Sequence, residues 1–333
     1  MDLTGKKVCL LFRKPGRFFS IERIFNYLEP LLQKEISTCR WAAEHAKFMP
    51  GGLIRNILAV KRCSGDIYHV TGDIHYIVLG LPRRRTLLTI HDCVFLYQAT
   101  GLKRRILKWL LLDIPVRRSW LITTISEATK KDIIRSTGCP AKKIIVIPDP
   151  IDDSLYYSPG VFREQEPVIL FIGSTENKNL RRVAEALKDI PCRLDIVGNI
   201  PAAVRELLSE NRINYTQQSG LTDEEIACKY RQADIMLFPS TFEGFGLPII
   251  EAQQTGRPVV TSDLSPMKEV AGKGACLVNP LDPASIRAGI LEVIGNKGYR
   301  EDLVQRGLEN VRQYAPSVIA QQYLSVYRQL LTH

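Results

Sequence analysis

The sequence predicts an α/β protein made of two doubly wound, Rossmann-like domains. Short runs of apolar and β-branched residues alternate with longer amphipathic stretches, which is typical of parallel sheets with crossover helices. At 333 residues the chain is long enough for two domains that each bury a core. One polar stretch, Asp152–Glu166, has no sustained periodicity and contains Pro159 and Gly160, so we interpret it as the linker.

The first half is expected to contain five strands and at least two helices. The predicted strands are Lys7–Phe12, Ile67–Val70, Thr86–Ile90, Leu121–Ile125 and Lys143–Ile147. One helix is expected to follow Ser20, a suitable N-cap residue, and another to run from Glu127 to Ser136 and end at Gly138.

The second half repeats the alternation of strands and helices. Its predicted strands are Val168–Gly173, Arg193–Val197, Asn214–Gln217, Asp234–Phe238, Pro258–Thr261 and Ala275–Val278. We place the domains at residues 1–158 and 159–314. A last helix over about 315–333 has one apolar face, formed by Tyr323, Val326, Tyr327 and Leu330.

Excess basic charge is confined to the first half of the chain. Residues 1–160 hold 26 Lys and Arg against 14 Asp and Glu, whereas residues 161–333 hold 19 against 21. Several basic clusters lie within residues 83–118. Such a surface suits an anionic membrane, an acidic substrate or nucleic acid, or is simply a basic solvated face. Nucleic acid is disfavoured, because no helix-turn-helix, zinc-finger or RNP-like pattern occurs.

Several other classes are disfavoured by what the sequence lacks. No apolar run approaches the roughly 20 residues of a membrane span, and the start of the chain does not resemble a signal peptide, so we expect a cytoplasmic protein. Eight cysteines without CxxC spacing predict free thiols. There is no Asp-x-Asp pair, HExxH motif or Walker loop, so no metal or other cofactor is expected. No GxGxxG follows the first strand, which disfavours a nicotinamide dehydrogenase.

The most informative stretch is a glycine-rich turn between two carboxylates. A predicted strand, Ala233–Ser240, is followed by Glu243, then by Gly244 and Gly246, and then by a helix that contains Glu251. A strand, a glycine turn and a helix N-terminus present backbone N–H groups to an anion, and glycine lets the backbone approach a ligand closely. A diphosphate fits between the two glutamates, with sugar hydroxyls as partners for each carboxylate.

This stretch, with the strand Gly256–Thr261 after it, resembles the retaining, nucleotide-sugar-dependent glycosyltransferases of family four, which have the GT-B fold. The resemblance is strong over residues 140–315 and weaker before them. It implies two domains facing a central cleft, an N-terminal one for the acceptor and a C-terminal one for the donor. It also implies sugar transfer from a UDP- or GDP-hexose to a glycan or lipid-linked saccharide, in the synthesis of cell-surface polysaccharide such as lipopolysaccharide. The last helix would cross back to the first domain, although packing on the second would give the same pattern.

The resemblance also assigns roles to individual residues. Lys178 would bind the diphosphate, Glu251 the ribose hydroxyls, and Glu243 the transferred sugar. The catalytic residues would be Lys178, Glu243 and also His91, which would face the donor sugar. The full set of donor-binding residues would be Gly16, Gly173, Lys178, Leu221, Glu243, Gly244, Phe245, Gly246, Leu247 and Glu251. The alternatives are a solvated Lys178, a Glu251 that is favoured by the helix dipole, and a structural His91.

The sequence departs from the family pattern near Lys178. The family often has an arginine a few residues before this lysine, whereas Ser174–Asn177 contains none. Arg181, Arg182 or an arginine of the first half would have to take its place. Asp149 and Pro150 also replace the usual Asn-Gly pair.

The sequence leaves two other functions open, a GT-B-like sugar-nucleotide epimerase and a non-catalytic sugar-nucleotide-binding partner.

The segment Leu102–Trp120 bears on where the protein is located. It mixes basic residues with leucines and a tryptophan, which suits the plane of a membrane interface. We therefore expect peripheral association with the inner face of the cell membrane. The alternative is a core helix with its basic residues in water.

Overall fold

The computed structural model describes residues 2–15, 20–45, 51–94, 96 and 99–332. It divides into two compact units. The first comprises Met1–Pro150 and Pro316–His333, and the second comprises Ile151–Ala315. Within the described residues, each unit contains one six-stranded sheet whose strands are all parallel. The predicted α/β class with two doubly wound domains is therefore confirmed.

The strands agree with the sequence prediction to within one or two residues, with one addition. They are β1 (Lys7–Phe12), β2 (Ser37–Ala42), β3 (Ile67–Val70), β4 (Thr86–Ile90), β5 (Leu121–Thr124), β6 (Ile144–Val146), β7 (Val168–Ile172), β8 (Arg193–Val197), β9 (Asn214–Gln218), β10 (Ile235–Phe238), β11 (Val259–Ser262) and β12 (Ala275–Val278). The addition is β2, an edge strand that pairs only with β1 and is half exposed along its length.

Helices connect the strands and cover both faces of each sheet. The α-helices are α1 (Ser20–Leu32), α2 (Gly52–Val60), α3 (Gly101–Lys108), α4 (Ile114–Arg118), α5 (Glu127–Thr137), α6 (Leu180–Ala186), α7 (Ala202–Glu210), α8 (Asp223–Gln232), α9 (Leu247–Gln254), α10 (Met267–Ala271), α11 (Pro283–Gly295), α12 (Lys297–Asn310) and α13 (Pro316–Leu331). Short 3₁₀-helices occur at His75–Gly80, Arg83–Arg85, Ala141–Lys143, Glu176–Lys178 and Val311–Tyr314, and a π-helical turn occurs at Trp109–Asp113. Because helices lie on both faces, strands such as β4 and β10 are buried at every position.

The last helix, α13, packs on the first unit. Its apolar face, which includes Tyr323 and Tyr327, belongs to the same buried cluster as Phe25 and Leu28 of α1. The hydroxyl of Tyr327 also lies 2.8 Å from Nδ1 of His69, a buried side chain in β3. The chain thus returns to its first unit after the second one is complete.

The division between the units falls at Pro150, earlier than the boundary after residue 158 that the sequence predicted. The segment that follows Pro150 is held by the second unit. The backbone N–H of Ile151 donates to Tyr314 O at 2.9 Å, and further on Nε2 of Gln254 donates to Leu155 O at 3.2 Å. Polar composition marked this segment as a linker, but its hydrogen bonds make it part of the second unit.

Sheet order places one switch point in each unit. In the second unit the order is β12-β11-β10-β7-β8-β9, so the chain reverses direction of winding between β7 and β10. In the first unit the order is β2-β1-β3-β4-β5-β6, and the reversal lies between β1 and β3. In open α/β sheets, ligands bind beyond the carboxyl ends of the strands that flank such a point.

Among the described residues, no helix is both long and apolar enough to cross a membrane. The eight cysteines are all free thiols, as their spacing predicted.

Candidate functional site

The loop after β7 brings Lys178 against a glycine at the switch point of the second unit. Gly173 follows β7 directly and has a φ of 122°, a conformation that other residues rarely adopt. A Cβ atom at this position would lie 2.6 Å from Cγ of Lys178. Glycine is therefore required both by the backbone and by the lysine side chain that lies over it.

Lys178 forms an ion pair with Glu243, and this pair joins the loops that follow β7 and β10. Nζ of Lys178 lies 2.7 Å from Oε1 of Glu243, and the two side chains are 19% and 13% exposed. The same Nζ lies 4.6 Å from the centre of the Phe238 ring, at the end of β10. The ammonium group is consequently held at the switch point, at the end of a side chain that is not fully buried.

Two asparagines fix the backbone around this ion pair. Nδ2 of Asn177 donates to Phe242 O at 2.8 Å, and Asn177 O accepts from the backbone N–H of Thr241 at 2.8 Å. Asn179 is buried in the left-handed region, with φ 71°, and its Nδ2 donates to Pro239 O at 3.0 Å. Neither role was predicted from the sequence. For Asn179 the available signal was its residue type, because asparagine adopts left-handed backbone more readily than most residues other than glycine.

The predicted glycine turn does open a helix. Gly246 caps α9 with a φ of 111°, and α9 starts at Leu247. The first N–H groups of a helix lack partners within it and carry partial positive charge, so they can bind an anion. The ring of Phe245 instead points into the unit, 5.7 Å from the Tyr314 ring, so any ligand contact of Phe245 or Gly244 would come from the backbone.

Glu251 is oriented by a buried tyrosine. The hydroxyl of Tyr230, in α8, donates to Oε2 of Glu251 at 2.7 Å. Tyr230 is completely buried, whereas Glu251 is half-buried. Sequence analysis did not identify Tyr230, because a tyrosine on the apolar face of a helix gives no sign of its partner. The contact sets the direction in which the carboxylate can receive a ligand hydroxyl.

The remaining predicted residues of the second unit lie at the same sheet edge but differ in their contacts. Nη1 of Arg182 donates to Oδ1 of Asn179 at 2.9 Å, so Arg182 reaches the loop of Lys178. Arg181 is exposed. Leu221 is half-buried and follows Gly220 beyond the end of β9, which β8 separates from β7.

In the first unit, the imidazole of His91 is engaged by protein groups on both sides. Nε2 lies 2.8 Å from Thr71 O, and Nδ1 lies 3.9 Å from Oδ1 of Asp149. Burial raises the pKa of Asp149, and the nearby His91 partly opposes that shift. The structure thus places His91 at the end of β4, as predicted, with its nitrogens directed at Thr71 and Asp149. Gly16 lies outside the described residues.

Within the described part of the chain, no group of three or more His, Cys, Asp and Glu side chains is arranged to hold a metal ion. Positive charge at this sheet edge comes from Lys178, from Arg182 beside its loop and from the N-terminus of α9. Together with the two carboxylates, the arrangement can bind an anionic group flanked by hydroxyls.

Both halves of the chain match glycosyltransferase family models. Residues 5–155 match the family described as Glycosyltransferase Family 4, and residues 166–296 match the one described as Glycosyl transferases group 1. The chain is 29% identical over 238 residues to O-antigen chain mannosyltransferase B of Escherichia coli, a match that covers 63% of this chain and 61% of the relative. The chain spans about three fifths of the length of the curated relatives it matches.

Solved structures show the same fold at low sequence identity. Sucrose-phosphate synthase from Thermosynechococcus elongatus has a TM-score of 0.78 at 17% identity, over 98% of this chain and 99% of that one. Anabaena Alr3699/HepE in complex with UDP and glucose has a TM-score of 0.74 at 14% identity, over 97% and 100%. The resemblance found in the sequence is therefore confirmed: the chain belongs to glycosyltransferase family four and has the GT-B fold.

Proposed function

We propose that this chain transfers a hexosyl group, with retention of configuration, from a nucleoside diphosphate donor to a hydroxyl of a glycan or lipid-linked saccharide in cell-surface polysaccharide synthesis. The observation that carries the proposal is the Lys178–Glu243 pair at the switch point of the second sheet, beside the N-terminus of α9. Relatives named as mannosyltransferases make GDP-mannose the first donor to test, with UDP-hexoses next.

Each residue of the site has a distinct task in this proposal. Lys178 has three N–H donors, of which Glu243 receives one, so others can donate to the diphosphate. Negative charge grows on the leaving diphosphate during transfer, and a fixed cation and helix N-terminus stabilise it without rearranging. Glu243 orients the donor sugar, and Glu251, held by Tyr230, accepts hydrogen bonds from the ribose hydroxyls.

The decisive experiment combines the purified chain with GDP-mannose, UDP-glucose or UDP-galactose and a saccharide acceptor. Release of nucleoside diphosphate should depend on the acceptor, and NMR should show that the product keeps the anomeric configuration of the donor. Donor turnover without acceptor would indicate an epimerase or a hydrolase instead. Tight nucleotide binding without any turnover would indicate a non-catalytic partner.

We propose that transfer needs no metal ion, since Lys178 and the α9 N-terminus can neutralise the diphosphate. Activity should persist in EDTA. Loss of activity in EDTA that magnesium or manganese restores would contradict this part of the proposal.

We also propose that the first unit associates with an anionic membrane surface. In α3 and the turn after it, Leu102, Ile106 and Trp109 are 70%, 53% and 59% exposed. Their spacing of four and three residues puts them on one helical face. Exposed Lys103, Arg104 and Arg105 accompany them.

The structure divides the predicted segment Leu102–Trp120 in two. Leu111 and Leu112 are buried in the core of the first unit, as the core-helix alternative expected, whereas α3 leaves its apolar stripe uncovered by described residues. An exposed apolar stripe with flanking cations is suited to the interface plane, and each cation near an anionic surface adds about 1 kcal/mol.

Cosedimentation with liposomes tests the membrane proposal. The chain should bind anionic but not neutral vesicles, with less binding in high salt. Changing Lys103, Arg104 and Arg105 to Ser should reduce binding, and so should changing Leu102, Ile106 and Trp109 to Ser. The matched control changes three exposed cations of the second unit, Lys188, Lys273 and Arg312, to Ser. Equal losses in the control would mean that net charge alone, rather than α3, drives the binding.

A further inference from the structure

The second unit also contains a cavity, at the end of its sheet opposite the Lys178–Glu243 pair. Its volume is about 510 Å³, within the range of small-molecule sites. It is lined by the segment after the unit boundary, including Tyr157 and Phe162, by Asp234 and Arg257 just before β10 and β11, and by α12. Because these residues precede their strands, the cavity lies at the amino ends of the sheet, away from the Lys178–Glu243 pair.

Arg257 is buried in the wall of this cavity, and no described carboxylate forms an ion pair with it. It is 6% exposed, its guanidinium donates to Ser158 O, and its Nε has no hydrogen-bond partner among the residues that the structure describes. The carboxylate of the nearby Asp234 already accepts hydrogen bonds from other groups. Its Oδ2 accepts from Nε of Arg163 at 2.7 Å and from the backbone N–H of Val168 at 2.7 Å. Burial lowers the pKa of Arg257, as expected when a cation loses its water without gaining a full counter-charge.

Each other charged side chain that lines the cavity has an ion-pair partner among the described residues. Arg300 pairs with Glu164 at 3.4 Å, and Lys297 pairs with Glu301 at 3.9 Å. Asp234 pairs with Arg163, which does not line the cavity. Arg257 is therefore the lining cation without an ion pair in the described part of the chain. A buried cation without a partner is costly, and an anion in the cavity would remove this cost.

The rest of the lining is largely apolar. Phe162 stacks beneath the guanidinium of Arg300, whose Cζ lies 3.8 Å from the ring centre. Val304 and Leu308 of α12 also line the cavity, and Tyr157 and Val161 are exposed at 51% and 94%. A flat apolar group can pack on these side chains while its charged end reaches Arg257.

We propose that this cavity binds a small organic anion of single charge, a carboxylate on an apolar or aromatic body, with Arg257 as its counter-charge. A guanidinium pairs well with a carboxylate through its N–H groups. A doubly charged phosphate fits less well, because the other lining cations, Arg300 and Lys297, already pair with glutamates and leave Arg257 alone to match its charge. The site is independent of the proposed sugar transfer and is separate from the donor site.

The test is a fluorine NMR titration of the full chain with para-fluorobenzoate, with neutral para-fluorobenzyl alcohol as the comparison. The wild-type chain should bind the carboxylate measurably better than the alcohol. Arg257→Gln should weaken carboxylate binding about tenfold or more, as for loss of a charge-assisted hydrogen bond. Lys297→Gln, which removes a paired cation of the same cavity, should change the affinity less than about twofold.

A second variant guards against a folding defect in Arg257→Gln, because this arginine also holds Ser158. Val161→Asp adds a negative charge at an exposed lining position and should weaken carboxylate binding without affecting the fold. The proposal is overturned if both variants bind like the wild-type chain, if the alcohol binds as well as the carboxylate, or if inorganic phosphate binds in preference. It is also overturned if excess GDP or UDP displaces the probe, since the probe would then occupy the donor site.

Discussion

The two parallel sheets each contain a switch point, but the polar side chains at their carboxyl edges are used differently. In the second unit, Lys178 and Glu243 meet at the switch point and remain partly exposed. In the first unit, His69 is fully buried between Tyr327 and Thr89. His91 is different, because its side chain is 16% exposed, close to the 13% of Glu243. Polar groups with remaining accessibility can bind a ligand, whereas groups that are satisfied internally mainly stabilise the fold.

This difference predicts two separate kinds of mutational effect. Changes at the edge of the second sheet should alter donor binding and turnover at nearly constant stability. Changes in the buried network of the first sheet should alter stability and its pH dependence.

The largest effect is expected for Glu243→Ala. Because Glu243 orients both the donor sugar and Lys178, its removal should lower kcat by about 100-fold, comparable to the loss of one group that stabilises the transition state. Glu176→Ala removes an exposed carboxylate from the loop that carries Lys178 and should leave kcat unchanged. Equal kcat values for the wild-type chain and Glu243→Ala would place the chemistry elsewhere.

A smaller effect, on nucleotide binding, is expected at Glu251. A contact with the ribose is present in both the ground state and the transition state, so Glu251→Ala should weaken nucleoside diphosphate binding by about 1.5–3 kcal/mol with little change in kcat. Tyr230→Phe removes the hydroxyl that donates to Glu251 and should weaken binding by about 0.5–1.5 kcal/mol. Calorimetric titration of both variants with the nucleoside diphosphate shows which of the two losses in binding free energy is larger. A Tyr230→Phe effect larger than that of Glu251→Ala would argue against the ribose assignment.

The smallest effect on function, but a measurable one on stability, is expected at His69. Burial lowers its pKa from 6.5 to about 3, so the unfolded chain takes up this proton before the folded chain does. Stability from neutral His69 is therefore complete above about pH 6.5 and is lost as the pH falls towards 3, by about 1.4 kcal/mol per unit. His69→Gln should reduce this slope and leave donor binding unchanged.

Tryptophan fluorescence during urea unfolding at several pH values measures this slope in the first unit alone, because all three tryptophans, Trp41, Trp109 and Trp120, lie there. The raised pKa of Asp149 gives a pH dependence of opposite sign, but it is present in both proteins and cancels in the comparison. Parallel pH profiles for the two proteins would show that His69 is not the titrating group.

The sequence was sufficient to predict the buried parts of the fold. Central strands such as β7 and β10 are continuous apolar runs, so they are visible without knowledge of their neighbours. The edge strand β2 was missed because it contains Thr38, Cys39 and Arg40 and is half exposed, which gives no apolar run. The unit boundary was misplaced because hydrogen bonds, rather than composition, attach the residues after Pro150 to the second unit.

For the site, the sequence indicated the residue types but not their partners. Lys178 and Glu243 were identified separately from the motifs around them, yet their ion pair depends on the sheet order that brings β7 beside β10. The Tyr230–Glu251 bond likewise depends on how α8 and α9 pack. Segment Leu102–Trp120 had two interpretations, and only the observed burial shows which of its leucines are in the core.

The central claim is that the carboxyl edge of the second sheet binds a nucleoside diphosphate through Lys178. Isothermal titration calorimetry with UDP and GDP tests it most directly, with the wild-type chain, Lys178→Ala and the exposed-lysine control Lys188→Ala. We expect Lys178→Ala to weaken binding of the preferred nucleotide by about 1.5–3 kcal/mol, and Lys188→Ala to leave it unchanged. The same affinity in all three proteins would contradict the claim.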